Sequence, residues 1–411
     1  MDDNWRCGLP VLVTDAGTLG AIGVIRSLGR AGYPVHACAR SAEALGLRSR
    51  YRRAAVVCPE YGRPEFLDWL RRYVRDHGIR AIIPSEGFAL AIRPAFAEFS
   101  GLLPSSGRED IFYRGLSKAD VHRTLTEAGG QAAANLPPSL CADGPGPGAS
   151  AADLGRLGCP LFLKVDGCHS RAGEPGRVVK AETAASAADA LAVLRERFAK
   201  VLVQGYVSGR GVGAFFLIRD GEVLAEFQHR RLHEVPHTGG ASSLRESYAH
   251  RAIRNDALAK IRALNWSGVG MMEYRLDEAT GRFYFIEFNG RFWGSVHLAL
   301  FAGVGFPTLL LDAFHGRPQV APGYRTGVRC RNTFPGDVQY VWSRLKDRRL
   351  GRGARAWSVL EFALLSLDPR VRNDLLYPGD RRLWAIATRR ALWGMLSGLA
   401  RRLVRRRHAD A

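Results

Sequence analysis

The stretch Phe283-Tyr284-Phe285-Ile286-Glu287-Phe288-Asn289-Gly290-Arg291-Phe292-Trp293-Gly294-Ser295 decides how the rest of the 411-residue chain is read. Apolar residues run directly into an acid, an amide and a cation, and carboxylates are almost never buried without a partner. Strand alternation puts Glu287 and Asn289 on one face. Upstream, Val269 to Leu276 reads as a second strand, and Asp277-Glu278-Ala279-Thr280-Gly281 supplies turn residues. A hairpin folded about Thr280 sets Glu273 opposite Glu287, which is repulsive unless a cation lies between them. Two carboxylates and an amide oxygen are hard ligands that suit Mg²⁺ carrying nucleotide phosphates. The alternative is a solvated hairpin rim with acids placed there by chance.

A hydrophobic fraction of 46% and a charged fraction of 24% are those of an ordinary globular chain, long enough for two or three domains. Seven cysteines without CxxC pairs argue for reduced thiols in the cytoplasm, against a disulfide frame or a zinc site. The N-terminus is polar and acidic, unlike a signal peptide, and no apolar run approaches the ~20 residues of a spanning helix. The net charge of +20 is uneven: from Ala321 onward there are twenty Arg/Lys and seven Asp/Glu. Such a basic tail suggests phosphates, in nucleic acid or in anionic lipid. Of 59 basic residues six are lysine (Lys118, Lys164, Lys180, Lys200, Lys260, Lys346), so each marks a place where a compact charge is wanted.

Strand and helix signals alternate from Pro10 to Pro84, implying a parallel sheet covered on both faces. Gly17, Gly20 and Gly23 do not form GxGxxG, and no acid ends the second strand, which disfavours a dinucleotide site. Glu86 follows a strand's C-terminal end, where open α/β sheets place ligands, and it equally suits a helix's first turn. Ser117-Lys118 opens a capped helix reaching Glu127, and residues 130–150 read as a loop or linker. Lys164 lies near the end of a strand. The glycine-rich loop after it, from Asp166 to Arg177, can offer backbone N–H groups to phosphate oxygens, or is a plain hairpin loop. His229, His233 and His237 have helical spacing, but Pro236 and the strand signals around it argue against a zinc helix. The preferred reading is a polar substrate loop, with Arg230 or Arg231 holding a carboxylate and Ser242 in its glycine-rich end. Ser247 to Leu264 reads as a helix.

Taken together, these stretches resemble the ATP-grasp ligases of the carboxylate–amine ligase kind, from about Val11 to Phe314. The fold this implies is α/β. A Rossmann-like domain (1–112) precedes a small lobe with a phosphate loop (113–207) and a large lobe with the Mg/ATP site (208–320). A basic helical extension (321–411) follows. The resemblance implies ATP with Mg²⁺, or Mn²⁺ in its place. Lys118 and Lys164 would bind the α- and β-phosphates, and the loop with Gly167, His169, Ser170 and Gly173 would fold over the γ-phosphate. Gln204, Tyr206 and Val207 would form the adenine hinge. Glu273, Glu287 and Asn289 would hold the metal, with Arg291 and Lys164 as the catalytic cations. Two departures stand out: Gln204 replaces the usual hinge glutamate, and the expected ribose-binding acid is missing, with Arg210 nearby.

The implied reaction joins a small-molecule carboxylate to an amine through an acyl phosphate. The alternatives are biotin-carboxylase-like activation of bicarbonate, a non-catalytic nucleotide-binding scaffold, or a Rossmann oxidoreductase. Beyond Arg325 the resemblance fades. Leu383 to Val404 reads as an amphipathic helix with Trp384, Ala391, Leu392, Met395, Leu396, Leu399 and Leu403 near one stripe. Residues 381–407 are expected either to lie on an anionic membrane or to dock as a C-terminal helix. No nucleic-acid motif accompanies the arginines. The expected setting is the cytoplasm, peripheral to the inner membrane face in the first case, with a homodimer as the expected assembly.

Overall fold

The computed structural model describes residues 5–144 and 149–407. Four short strands, β1 (Val11–Val13), β2 (Val35–Ala39), β3 (Ala54–Val57) and β4 (Ala81–Ile83), form a parallel sheet in the order β3-β2-β1-β4. β1, β2 and β4 are buried throughout, as strands covered on both faces must be. Thr18 caps the helix Leu19–Arg30 by accepting from Ala21 N at 3.3 Å. Two of its glycines permit close packing. A Cβ on Gly20 would stand 2.9 Å from Trp293 O, and one on Gly23 would stand 2.5 Å from Val296 Cγ1. The helix is thereby pressed against the segment that follows the decisive strand.

The second sheet is antiparallel, with β5 (Ser139–Asp143), β6 (Leu161–Val165), β7 (Arg177–Ala181) and β8 (Lys200–Gly205) in the order β5-β8-β6-β7. β5 corrects the reading of 130–150 as linker. Its half-buried Ser-Leu-Cys-Ala-Asp carries little strand propensity and is held by pairing along β8. Leu161, Leu163, Leu194, Val201 and Val203 give this lobe a core of its own.

The largest sheet has seven strands: β9 (Arg210–Arg219), β10 (Glu222–Val235), β11 (Ala241–Ser247), β12 (Gly268–Leu276), β13 (Phe283–Asn289), β14 (Arg329–Arg331) and β15 (Val371–Asn373). They lie in the order β13-β12-β9-β10-β11-β14-β15. The histidine-rich stretch is therefore a strand over His229 and His233, not a loop, and Ser242 sits on its neighbour. The helix expected from Ser247 begins only at Arg251, because Ala241–Ser247 is taken up by pairing with β10 and β14. Two large cores each mix the first sheet with the third: Leu12 and Ile82 with Phe216 and Met272, and Val13 and Val35 with Phe215 and Met271.

The basic C-terminal segment is built into the molecule rather than appended, and it supplies β14 and β15. Arg26, fully buried on the first helix, bonds Asp380 Oδ2 at 2.9 Å and the carbonyls of Asp374 and Leu375 at 2.7 and 2.9 Å. Asp374 in turn pairs with buried Arg245 of β11. The helix Arg381–Arg407 docks through Leu383 and Trp384 against Ile22, so Trp384 belongs to an inward contact and not to a free stripe. The side chains expected further along that stripe at Met395, Leu396, Leu399 and Leu403 lie outside the described residues.

Candidate active site

The β12–β13 hairpin pairs Glu273 with Glu287 and Met271 with Asn289. A register shift follows immediately, between Glu273 and Tyr274. The two carboxylates are therefore neighbours across the strands. On β13 the side-chain amide of Asn289 donates to Glu287 Oε1 at 3.0 Å. The shared face of residues two apart accounts for this contact.

Three cations converge on these acids from different elements. Lys118, the first residue of the helix Lys118–Ala128, brings its Nζ to 4.0 Å from Glu287 Oε2. Lys164, 6% exposed on β6, donates to Gln204 Oε1 at 2.6 Å and to Ile286 O at 3.1 Å, crossing from the small lobe to β13. Arg231 on β10 reaches over β9 to Glu273 Oε2 at 2.5 Å. That crossing needs Gly211, where a Cβ would stand 2.6 Å from Arg231 Cδ. Burial lowers the Lys164 ammonium to about 8, with Glu287 opposing. Burial also pushes the Glu287 carboxyl up, but Lys118 and Lys164 outweigh it and hold the group below its usual value.

Asp166, at the end of β6, ties this corner together. Its Oδ2 accepts from Ser117 Oγ and from Lys118 N, both at 3.1 Å, so the loop after β6 is locked to the helix that carries Lys118. The glycine-rich loop is itself engaged. His169 Nε2 lies 2.6 Å from Asp120 Oδ2, Ser170 Oγ accepts from Glu174 N at 2.7 Å, and Glu174 pairs with Arg197. Gly173 stands at φ +71° with open space around it. Gln204, expected in the hinge, is buried and has its amide oxygen committed to Lys164. Tyr206 is exposed beside Phe162, and Val207 is half-buried just beyond β8.

Arg291 and Glu86 form a second centre, with Arg291 Nε and Nη2 each 3.3 Å from Glu86 Oε2. They line a cavity of about 300 Å³ with Thr14, Asp15, Thr18 and Ser85, at the C-terminal ends of β1 and β4. Open α/β sheets bind ligands in this position. The other substrate candidates are placed elsewhere. Arg230 holds Glu246 at 2.8 Å, Arg231 serves Glu273, and Ser242 Oγ donates to Leu244 O. The two arginines do hold carboxylates, but those of the protein. Two of the three histidines are engaged elsewhere: His233 stacks on Tyr340 and bonds Asp337, and His237 bonds Ser343, whereas buried His229 packs edge-on to Phe215 with neither ring nitrogen hydrogen-bonded. No group of three or more His, Cys, Asp and Glu able to hold a metal occurs among the described residues. The donors at the hairpin are two carboxylates and an amide oxygen, a set that fits a magnesium ion completed by substrate phosphates.

Of the six lysines, Lys118 and Lys164 face the acids, Lys200 pairs with Asp120, and Lys180 pairs with Glu182. Lys260 is a buried partner of Asp256, and Lys346 lies over the Trp342 ring. Residues 166, 120, 234 and 275 were missed by the sequence reading. Asp166 carried a faint signal in its position between a buried strand and a glycine. Arg275 and Glu234 carried none, since their pairing at 2.9 Å joins β12 to β10 across β9.

Three sheets thus interlock, with basic and acidic groups facing each other between the second and third. Residues 178–310 match the family model described as the carbamoyl-phosphate synthase L chain, ATP binding domain. The match spans residues 178–310, about a third of the chain, and over that segment the chain is similar to this ATP-binding domain. No curated protein matches the chain by sequence. Among solved structures it is similar to an L-amino acid ligase from Bacillus licheniformis, at 17% identity over 74% of each chain with a TM-score of 0.52. It is similar to N5-carboxyaminoimidazole synthetase from Staphylococcus aureus, at 15% identity over 79% of this chain and 82% of that one, with a TM-score of 0.58. A third is the biotin carboxylase domain of the Hydrogenobacter thermophilus 2-oxoglutarate carboxylase, in complex with MgADP, ADP and bicarbonate. There the identity is 17% over 78% of this chain and 73% of that one, with a TM-score of 0.57. At these identities the likeness is one of fold.

Proposed function

We propose that the chain is an ATP-dependent carboxylate–amine ligase, using MgATP and releasing ADP and phosphate. The observation that carries this reading is the register pair Glu273–Glu287, faced by Lys118 and by the buried Lys164 of the other lobe. Glu273, Glu287 and the Asn289 oxygen would hold magnesium, which when bound neutralises charge on the nucleotide phosphates. Lys164 and Lys118 hold phosphate oxygens as point charges. The glycine-rich loop closes over the nucleotide and excludes water.

A substrate carboxylate oxygen attacks the γ-phosphorus. An O–P bond forms, the bond to the β,γ-bridging oxygen breaks, and ADP leaves. The amine nitrogen then attacks the acyl carbon, phosphate departs, and the nitrogen gives up a proton. Arg291 would steady charge on the transferred group, with Glu86 holding its guanidinium in orientation. The acid and amine sit in the cavity beside them. The test is ADP release on feeding pools of acids and amines, with product mass measured. Turnover with bicarbonate alone, or no turnover with any pool, would remove this reading.

A further inference from the structure

The helix Arg352–Leu367 is turned inside out. Trp357, Leu360, Leu364 and Leu367, spaced as one helical stripe, are 54%, 50%, 51% and 80% exposed. Its inward side mixes polar residues with Phe362 and Leu365. Buried Ser358 accepts from Arg344 Nε at 2.6 Å, and Glu361 lies 3.5 Å from His233 Nε2. Arg331 stacks over Phe362 at 4.7 Å. The preceding helix, Val338–Lys346, adds Trp342, 49% exposed. A soluble helix buries its apolar stripe, and a contiguous exposed one marks a docking surface.

Charge decides what docks there. Residues 338–373 hold eight Arg/Lys and only three Asp/Glu. Two of those acids, Asp347 and Asp368, are bound to Arg349 and Arg370, and the third, Glu361, faces inward. A second copy of the chain would bring one cationic face against another. An anionic bilayer supplies apolar depth and the opposite charge at once, and tryptophan favours its interface. At 16 residues the helix is about 24 Å long, short of the hydrocarbon core. It would therefore lie in the membrane plane. No single helix among the described residues is long and apolar enough to cross a membrane.

We infer that the outward face of the helix Arg352–Leu367 binds anionic lipid surfaces, independently of the ligase reading. The test is flotation of the full chain with phosphatidylcholine vesicles, with and without phosphatidylglycerol. The wild type should float with the anionic vesicles only. Leu360→Glu/Leu364→Glu, at exposed positions, and Arg348→Glu/Arg352→Glu should each weaken binding by at least about 10-fold. Circular dichroism and ADP release should be unchanged in both. Equal flotation of wild type and Leu360→Glu/Leu364→Glu, or no preference for anionic vesicles, would overturn the inference. So would a change from dimer to monomer in that variant without lipid, which would assign the face to a second copy.

Discussion

Arg291 and Glu86, 205 residues apart in sequence, meet through two contacts of 3.3 Å in the lining of the cavity at the C-terminal ends of β1 and β4. The pair joins the end of the decisive hairpin to the first domain, and each partner remains about one-third exposed. The guanidinium is held in orientation from both sides, by Glu86 and by Phe292 O, which accepts from Nη1 at 3.2 Å. Arg291→Lys should keep the charge and lose the fork, lowering kcat for ADP release by about 10²–10³-fold. Nucleotide affinity should be nearly unchanged, as measured by calorimetry.

At the register pair, Glu287→Gln removes one hard ligand and leaves the hairpin's shape. Loss of a group that only orients a ligand costs up to about 100-fold, so loss of the ligand itself should exceed that in turnover. Binding of Mn²⁺ with ADP, followed by electron paramagnetic resonance, should weaken in parallel while the melting profile is retained. Wild-type turnover in this variant would remove Glu287 from the metal role.

Lys164 makes the nucleotide site sensitive to pH. With its ammonium lowered to about 8 by burial, the charged form predominates at neutral pH and is lost as pH rises through that value. Nucleotide phosphates favour the charged form, so affinity should fall above about pH 8, by at most about 10-fold per pH unit. Binding near that pH should take up a proton, read as a buffer-dependent heat. Lys164→Arg should abolish the dependence, since guanidinium does not titrate there. The linkage for folding has the opposite sense. The folded value lies below the unfolded 10.5, so the unfolded chain binds more protons between the two, and the ligand-free protein gains stability as pH rises across that window.

The C-terminal segment should prove indispensable to the fold. Asp380 bonds the buried Arg26 at 2.9 Å and accepts from Ser49 Oγ at 2.7 Å. Asp380→Ala strands a buried guanidinium, which costs about 3–5 kcal/mol. Urea denaturation should show the midpoint moving down with little change in slope. A shift of less than about 1 kcal/mol would mean that the arginine finds other partners.

What the sequence determined by itself was local and near-neighbour in character. Alternation put Glu287 beside Asn289, and five turn residues brought Glu273 opposite Glu287. Capping placed Lys118 at a helix start, and the order of elements carried the resemblance to the ATP-grasp fold. These follow from a period of two or 3.6 residues and from turn chemistry, which a short window contains. Tertiary structure decided the rest. It committed Gln204 to Lys164 and sent Arg231 to Glu273 over a glycine gap. It set Glu86 against Arg291 and drew residues 371–373 into the sheet from a segment that read only as a basic tail. Each of these partners is distant in sequence. A buried charge takes whichever opposite charge the packed sheets bring within reach, and no periodicity encodes that choice.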